Sequence, residues 1–384
     1  MKTEKLYYND AYIKEFDAKV ISCKECGTGY AAVLDRTAFF PCEGGQSADT
    51  GSIDGVEVVD VRENDGVIEH ILVSEIAVGK EAHCKLNFDE RLEKMQLHTA
   101  EHIICGVIHS LYGFDNVGFH IGKDDVTFDI NAVLDREMLD KAEKIANRAV
   151  FENVSVRAFF PTQEELPLLE YRSKLDITED VRIVNIEGYD SCACCAPHVA
   201  RTGEIGLIKL LEFEKHRGGT RIHLVAGARA LADYREKYRN IESISASLSF
   251  PQHETAEALK NYMTSVEKTE QKLKSALLAV ARLEAEKIEK TEGNIVGYFS
   301  ELGINEAREF VNLCLSKAGG AVVGIVGEEN NYKYVMSSNK EDIIKLTREA
   351  NLALCGKGGG RPPMTQGSFA TTLDKIFEFF EKRK

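Results

Sequence analysis

The sequence predicts an α+β protein of several domains: a small antiparallel β-barrel at the N-terminus, a mixed α+β domain, a long helical spacer and a C-terminal α/β domain. Three observations carry this. The first 88 residues alternate apolar and polar side chains in short runs, the apolar period becomes helical at Asp89, and residues 229–292 lack glycine and contain one proline, Pro251. A chain of 384 residues also exceeds the roughly 100 to 200 of one domain.

Residues 1–88 show strand alternation in AKVISCKE, GYAAVLD, GVEVVDVR and GVIEHILVSEI, separated by Gly, Asp and Asn turns. From Asp89, Leu92, Met95, Leu97, Ile103, Ile104, Val107 and Ile108 recur at helical spacing as far as the Gly113 turn, so a long helix carries the segment HTAEH. Strand patterns VTFDI, VRAFF, VRIVNI, IGLIKLL and RIHLVAG then combine with a helix near residues 136–152, which makes 89–228 a mixed α+β domain. In 229–293, Leu259, Val266, Leu273 and Val280 fall seven apart, while Glu270 and Glu284 interrupt the companion seam. This reads as a coiled-coil-like spacer or an ordinary long amphipathic helix. From 294 to 384, NIVGYF, AVVGIVG and YKYVM alternate with helical stretches.

Composition narrows the function. Hydrophobic residues at 43% and charged residues at 29% are ordinary for a globular protein, and a net charge of −14 argues against a generally basic nucleic-acid binder. RNA contact would need local basic patches. The start MKTEKLYYND lacks a signal-peptide core and no apolar run reaches the roughly 20 residues of a membrane span, so a cytoplasmic protein with no membrane partner is expected. In that reducing compartment, clustered cysteines point to metal or redox chemistry sooner than to disulfides.

His98 and His102 lie four apart on the predicted helix, so both imidazoles leave one face. The segment Asp190-Ser191-Cys192-Ala193-Cys194-Cys195-Ala196-Pro197-His198 packs three thiols and an imidazole into a turn between strands. Two helix histidines with one cysteine and one histidine of this turn complete a tetrahedral zinc shell, one Zn2+ per chain. Spacing alone leaves open whether Cys194 or Cys195 is the thiolate, and whether the ion activates water or positions substrate. Cys23 and Cys26 form a lone CxxC, read as small residues of a barrel strand, and the scattered cysteines as packing residues.

Other candidates follow from position. Glu101 is a candidate general base or a solvated carboxylate, since it projects about 100° away from its neighbour His102. His120 lines the pocket or ends a strand. Lys215, His216, Arg217 and Arg221 crowd a turn beside Gly218 and Gly219 and could meet phosphate, or form a solvated hairpin tip. Gly356–Arg361, with Lys357 and Arg361, offers a similar anion-binding loop.

The pair His98…His102, followed by Cys194-Cys195-Ala196-Pro197-His198 and then Thr202-Gly203-Glu204-Ile205-Gly206, resembles the editing domain of alanyl-tRNA synthetase with its HxxxH and CxxxH motifs. The upstream Thr37-Ala38-Phe39-Phe40-Pro41-Cys42-Glu43-Gly44-Gly45-Gln46 is similar to the family's glycine-rich motif, and Gly356-Lys357-Gly358-Gly359-Gly360-Arg361-Pro362 resembles the end of its last, DHH-associated-type domain. With the chain starting at the barrel, it looks like a long freestanding editing protein of the AlaX type. The loop departs from the family's usual Cys-Gly-Gly-(Thr/Pro)-His in having Cys195 and Ala196 at the glycines.

The resemblance implies a hydrolase that deacylates mischarged tRNA(Ala) carrying serine or glycine, with zinc on His98, His102, Cys194 and His198. It further implies that Thr37 selects serine through a hydroxyl contact, that Gly44, Gly45 and Gln46 belong to the substrate site, and that the last domain contacts tRNA or forms a homodimer. Editing of another mischarged tRNA is the neighbouring alternative, because threonyl-tRNA synthetase shares a related domain. A non-catalytic tRNA-binding module with a structural zinc is the alternative of a different class.

Overall fold

A computed structural model of the chain describes residues 2–27, 29–122, 125–173 and 180–382. These form an α+β protein with seven α-helices and several sheets, in two compact units, Met1–Glu242 and Ser243–Lys384.

In the first unit, six antiparallel strands close on themselves in the order Glu15–Cys26, Gly29–Leu34, Val67–Leu72, Val56–Asn64, Gly51–Ile53 and Glu81–Leu86. The alternation explains the closure: in Glu81–Leu86, Ala82, Cys84 and Leu86 point inward while Glu81, His83 and Lys85 face solvent. Two hairpins turn on Asp54-Gly55 and Asp65-Gly66, with all four residues at positive φ, the geometry of two-residue loops whose twist matches the strands.

Helix α1 (Phe88–Tyr112) ends on Gly113 in the left-handed conformation. Its N-terminal half is fastened to the 37–50 loop by buried polar contacts. Arg91 pairs with Asp49 and donates to the Ala38 carbonyl, Asp49 accepts the Phe40 N–H at 2.6 Å, and Lys94 donates to the Ala48 carbonyl at 2.6 Å. Its C-terminal half lies in a core shared with α2 (Arg136–Glu152) and a four-stranded sheet ordered Ile208–His216, Gly219–Ala226, Val126–Ile130, Asn116–Ile121. A separate antiparallel sheet of Val156–Phe159, Ile183–Ile186 and Asp190–Ala193 delivers the cysteine-rich turn. Gly106 lets α1 approach that sheet, since a Cβ there would sit 2.4 Å from the Tyr189 carbonyl oxygen.

The expected spacer is two helices, α3 (Gly227–Leu248) and α4 (Thr255–Lys287), interrupted where Ser249 takes a positive φ before Pro251. In the second unit, α4 packs through Ala281 and Ala285 against Phe310, Val311 and Cys314 of α5 (Ile304–Cys314). This leaves Leu259, Val266, Leu273 and Val280 exposed. A five-stranded sheet follows, ordered Ile295–Phe299, Ala321–Val326, Tyr332–Ser338, Met364–Phe369, Gly356–Arg361, with α6 (Ile343–Ala353) and α7 (Leu373–Glu381).

Gly356–Arg361, expected as an anion-binding loop, is instead the edge strand of this sheet. Its glycines serve close approach: a Cβ on Gly358 would meet the Gln366 carbonyl oxygen at 2.4 Å and the Tyr334 hydroxyl at 2.7 Å. Among the described residues no helix is long and apolar enough to cross a membrane.

Candidate metal centre

The two segments that the sequence singled out converge. His98 and His102, one turn apart on α1, meet Cys194 and His198, which follow the strand Asp190–Ala193, and one donor atom from each lies within 4.8 Å of all the others. The Cys194 Sγ is 3.4 Å from His198 Nε2 and 3.7 Å from His98 Nε2. The four residues form a group able to hold a metal ion, and Cys195 is not part of it.

Each imidazole is oriented from behind. His98 donates from Nδ1 to Gln46 Oε1 at 3.0 Å, and His102 from Nδ1 to Asp190 Oδ2 at 3.1 Å. The Thr99 hydroxyl donates to the Met95 carbonyl at 2.7 Å, which leaves its oxygen to accept from His198 Nδ1 at 3.0 Å. With each Nδ1 engaged from behind, the Nε2 atoms are the ones turned toward the shared point. That arrangement fixes tautomer and ring orientation in metal sites. Asp190 is held in turn by Arg172, whose Nε and Nη2 reach its two oxygens at 2.8 and 3.0 Å.

Charge follows the same plan. Burial works against a Cys194 thiolate, but His98 and His198 beside it and hydrogen bonds from His102 and His198 hold its pKa well below the ordinary cysteine value. Burial pushes His198 down to about 3, against the pull of the neighbouring Cys194. Burial likewise disfavours charge on His102, yet its hydrogen bonds to Asp190 and Cys194 prevail and raise its pKa well above the usual value. Cys195 goes the other way: burial, then the Cys194 and Glu43 charges, push its thiol up and keep it protonated.

His98, His102 and Cys194 open onto a cavity of about 620 Å³ that Glu101, Glu43, Gly44, Arg172 and Cys195 also line. Glu101 is therefore not a solvated carboxylate. It is buried, and its Oε1 accepts from the Asn116 amide and, at 3.4 Å, from the Cys105 thiol. Gly44 lies at the cavity wall, where a Cβ would touch the Cys195 sulfur at 3.4 Å, and a Cβ on Gly45 would collide with the Phe119 carbonyl oxygen at 2.5 Å.

Other candidates lie elsewhere. Thr37 is fully buried in the two-residue strand Arg36–Thr37, away from the cavity lining. His70 donates from Nδ1 to the Ala32 carbonyl at 3.1 Å, so its Nε2 accepts the Thr37 hydroxyl proton at 2.8 Å, and the Thr37 oxygen accepts the Phe39 N–H at 3.1 Å. His120 is exposed on the strand Asn116–Ile121, where alternation turns its neighbour Phe119 onto the His98 ring at 4.5 Å. Arg221 is committed to Asp129 through two contacts of 2.8 Å, and Arg217 is exposed at the hairpin turn with a positive φ. Lys357 and Arg361 are exposed on the edge strand of the second unit.

Asp190, Arg172, Thr99 and Asn116 carry roles that motif spacing did not reveal. Asp190 and Thr99 sat inside the two motifs, whereas Arg172 and Asn116 had no local signal.

Residues 181–223, which carry Cys194 and His198, match the family described as the threonyl and alanyl tRNA synthetase second additional domain. Along nearly its whole length the chain is similar to alanyl-tRNA editing protein AlaX-L of Pyrococcus horikoshii, 28% identical over 98% of this chain and 96% of that protein. It is also similar to alanyl-tRNA editing protein Aarsd1 of Danio rerio, 27% identical over 96% of this chain and 94% of that protein. Alanine–tRNA ligase of Ignicoccus hospitalis is 30% identical over 99% of this chain, which spans 42% of the ligase. The resemblance that the motifs suggested thus holds for long alanyl-tRNA editing proteins and for a part of alanine–tRNA ligase.

Proposed function

We propose that this protein hydrolyses the ester joining a wrong amino acid, serine or glycine, to tRNA(Ala), with one zinc ion held by His98, His102, Cys194 and His198. The observation that carries the reading is the convergence of four donors whose three imidazoles are each tethered through Nδ1. A tetrahedral shell with Zn–N of about 2.0 to 2.1 Å and Zn–S of about 2.3 Å spaces nitrogen and sulfur about 3.5 Å apart. The separations of 3.4 and 3.7 Å fit that donor set. The similarity to alanyl-tRNA editing proteins supports the substrate class.

An aminoacyl ester is already activated, so the site needs mainly to position water and to stabilise developing negative charge. A bound zinc would supply Lewis-acid polarisation there. Glu101 would take the proton of the attacking water, a role supported by its position at the cavity wall, where Asn116 and Cys105 hold it. Asp190 and Gln46 hold the rings of His102 and His98 still. Thr37, bonded to His70, acts on the site through the shape of the 37–50 loop that carries Gly44 and Gln46. The cytoplasm is the expected compartment, and a homodimer would form through the C-terminal domain, residues 294–384.

The test is deacylation of Ser-tRNA(Ala), Gly-tRNA(Ala) and Ala-tRNA(Ala) side by side, with Ser-tRNA(Thr) as comparison. The proposal expects cleavage of the first two and sparing of Ala-tRNA(Ala). Preferential cleavage of Ser-tRNA(Thr) would move the assignment to the threonyl system, and cleavage of none would leave a binding module.

A further inference from the structure

Resting on the reading that the cavity receives an aminoacyl ester, we propose that Phe160 is the platform on which the terminal base of the tRNA stacks, with Tyr8 locking its ring. An ester on the terminal ribose brings its own nucleotide with it, so the base must lie within one nucleotide's reach of the reacting carbon. The cavity that His98, His102 and Cys194 line is also lined by Phe160, Tyr8, Lys5 and Arg182. Its volume of about 620 Å³ lies within the range of roughly 300 to 1,000 Å³ that suits a ligand larger than an amino acid.

The aromatic pair is built for presentation. Phe160 follows the edge strand Val156–Phe159, lines the cavity and keeps 49% of its surface open. Tyr8 meets it in a T-shaped contact, with centroids 5.3 Å apart and planes at 72°, which restrains the Phe160 ring while about half of its surface stays open. Tyr8 is itself secured by Arg182 at 5.0 Å and Lys5 at 5.5 Å from its centroid. Arg182 donates to the Cys194 and Ala196 carbonyls at 3.0 and 2.8 Å, so this aromatic wall is tied to the same turn that carries Cys194 and His198. Single-stranded RNA ends are recognised by stacking of unpaired bases on aromatic rings.

The experiment compares wild type, Phe160→Ala, Phe160→Leu and Phe160→Trp in steady-state deacylation of Ser-tRNA(Ala), with adenosine 5′-monophosphate as competitor. Loss of one stacked base raises KM by about 5- to 150-fold in Phe160→Ala. The loss falls on KM, not kcat. Phe160→Trp restores the wild-type KM, Phe160→Leu does not, and the competitor loses potency with Phe160→Ala in the same proportion. An unchanged KM in Phe160→Ala, or full rescue by leucine, overturns the stacking role and leaves the hydrolase reading intact. If the wild type cleaves no mischarged tRNA, the hydrolase reading fails by itself. Calorimetric binding of adenosine 5′-monophosphate to wild type and Phe160→Ala then decides the subsite, and equal affinity or no binding to either overturns it.

Discussion

At the scale of single residues, the site separates two adjacent thiols. Cys194 faces the histidines and is held as thiolate, while Cys195 lies outside the donor group beside Glu43 with its proton retained. Metal analysis of purified variants should therefore find zinc lost from Cys194→Ser and kept at one per chain in Cys195→Ser. The outer partners predict a graded effect. Asp190→Asn and Gln46→Ala keep all four donors but release a ring, so zinc affinity measured by chelator competition should fall about 10- to 100-fold in each. His70 offers a pH signature remote from the metal group. Burial pushes its pKa down from 6.5 to about 4. As pH falls through 6.5 the unfolded chain takes up this proton before the folded one does. The stability it contributes is thus complete above pH 6.5 and is lost toward pH 4, by about 3 kcal/mol in total. Urea midpoints at pH 7, 6 and 5 should fall more steeply for wild type than for His70→Gln, and parallel curves would contradict this.

At the scale of elements, the convergence depends on how closely α1 lies to the strand Asp190–Ala193. Gly106 sets that approach, because an added methyl would meet the Tyr189 carbonyl at 2.4 Å and the Asp190 Cβ at 2.7 Å. Gly106→Ala should destabilise the fold by about 1 to 3 kcal/mol in denaturant titration, despite alanine's higher helix propensity, and should weaken zinc binding by displacing Asp190. Stabilisation by that substitution would show that α1 can shift without harm. The helix itself was legible, since its apolar residues repeat at 3.6 and Gly113 closes it. The partners behind its histidines were not, because Gln46 is 52 residues and Asp190 88 residues distant, and periodicity records which face is buried but not what it meets. The run Gly356–Arg361 misled for a related reason. Glycine marks both phosphate loops and strands under close approach, and here the Tyr334 ring beneath the edge strand decides between them.

For the whole molecule, the sequence announced the strands of the first 88 residues, the helix that follows, a glycine-free helical stretch and later alternating elements, and the described residues contain each of them. It did not say which face of α4 would be covered. Small residues Ala281 and Ala285 pack within the second unit, so the seven-residue seam stays outside, a choice made by tertiary packing that no heptad count contains. In the proposed metal centre, residues almost a hundred positions apart would grip one ion. X-ray absorption at the zinc edge of the loaded protein tests it most directly. The account predicts three nitrogen scatterers at about 2.0 to 2.1 Å and one sulfur at about 2.3 Å, whereas a shell with two sulfurs, or with none, would contradict it.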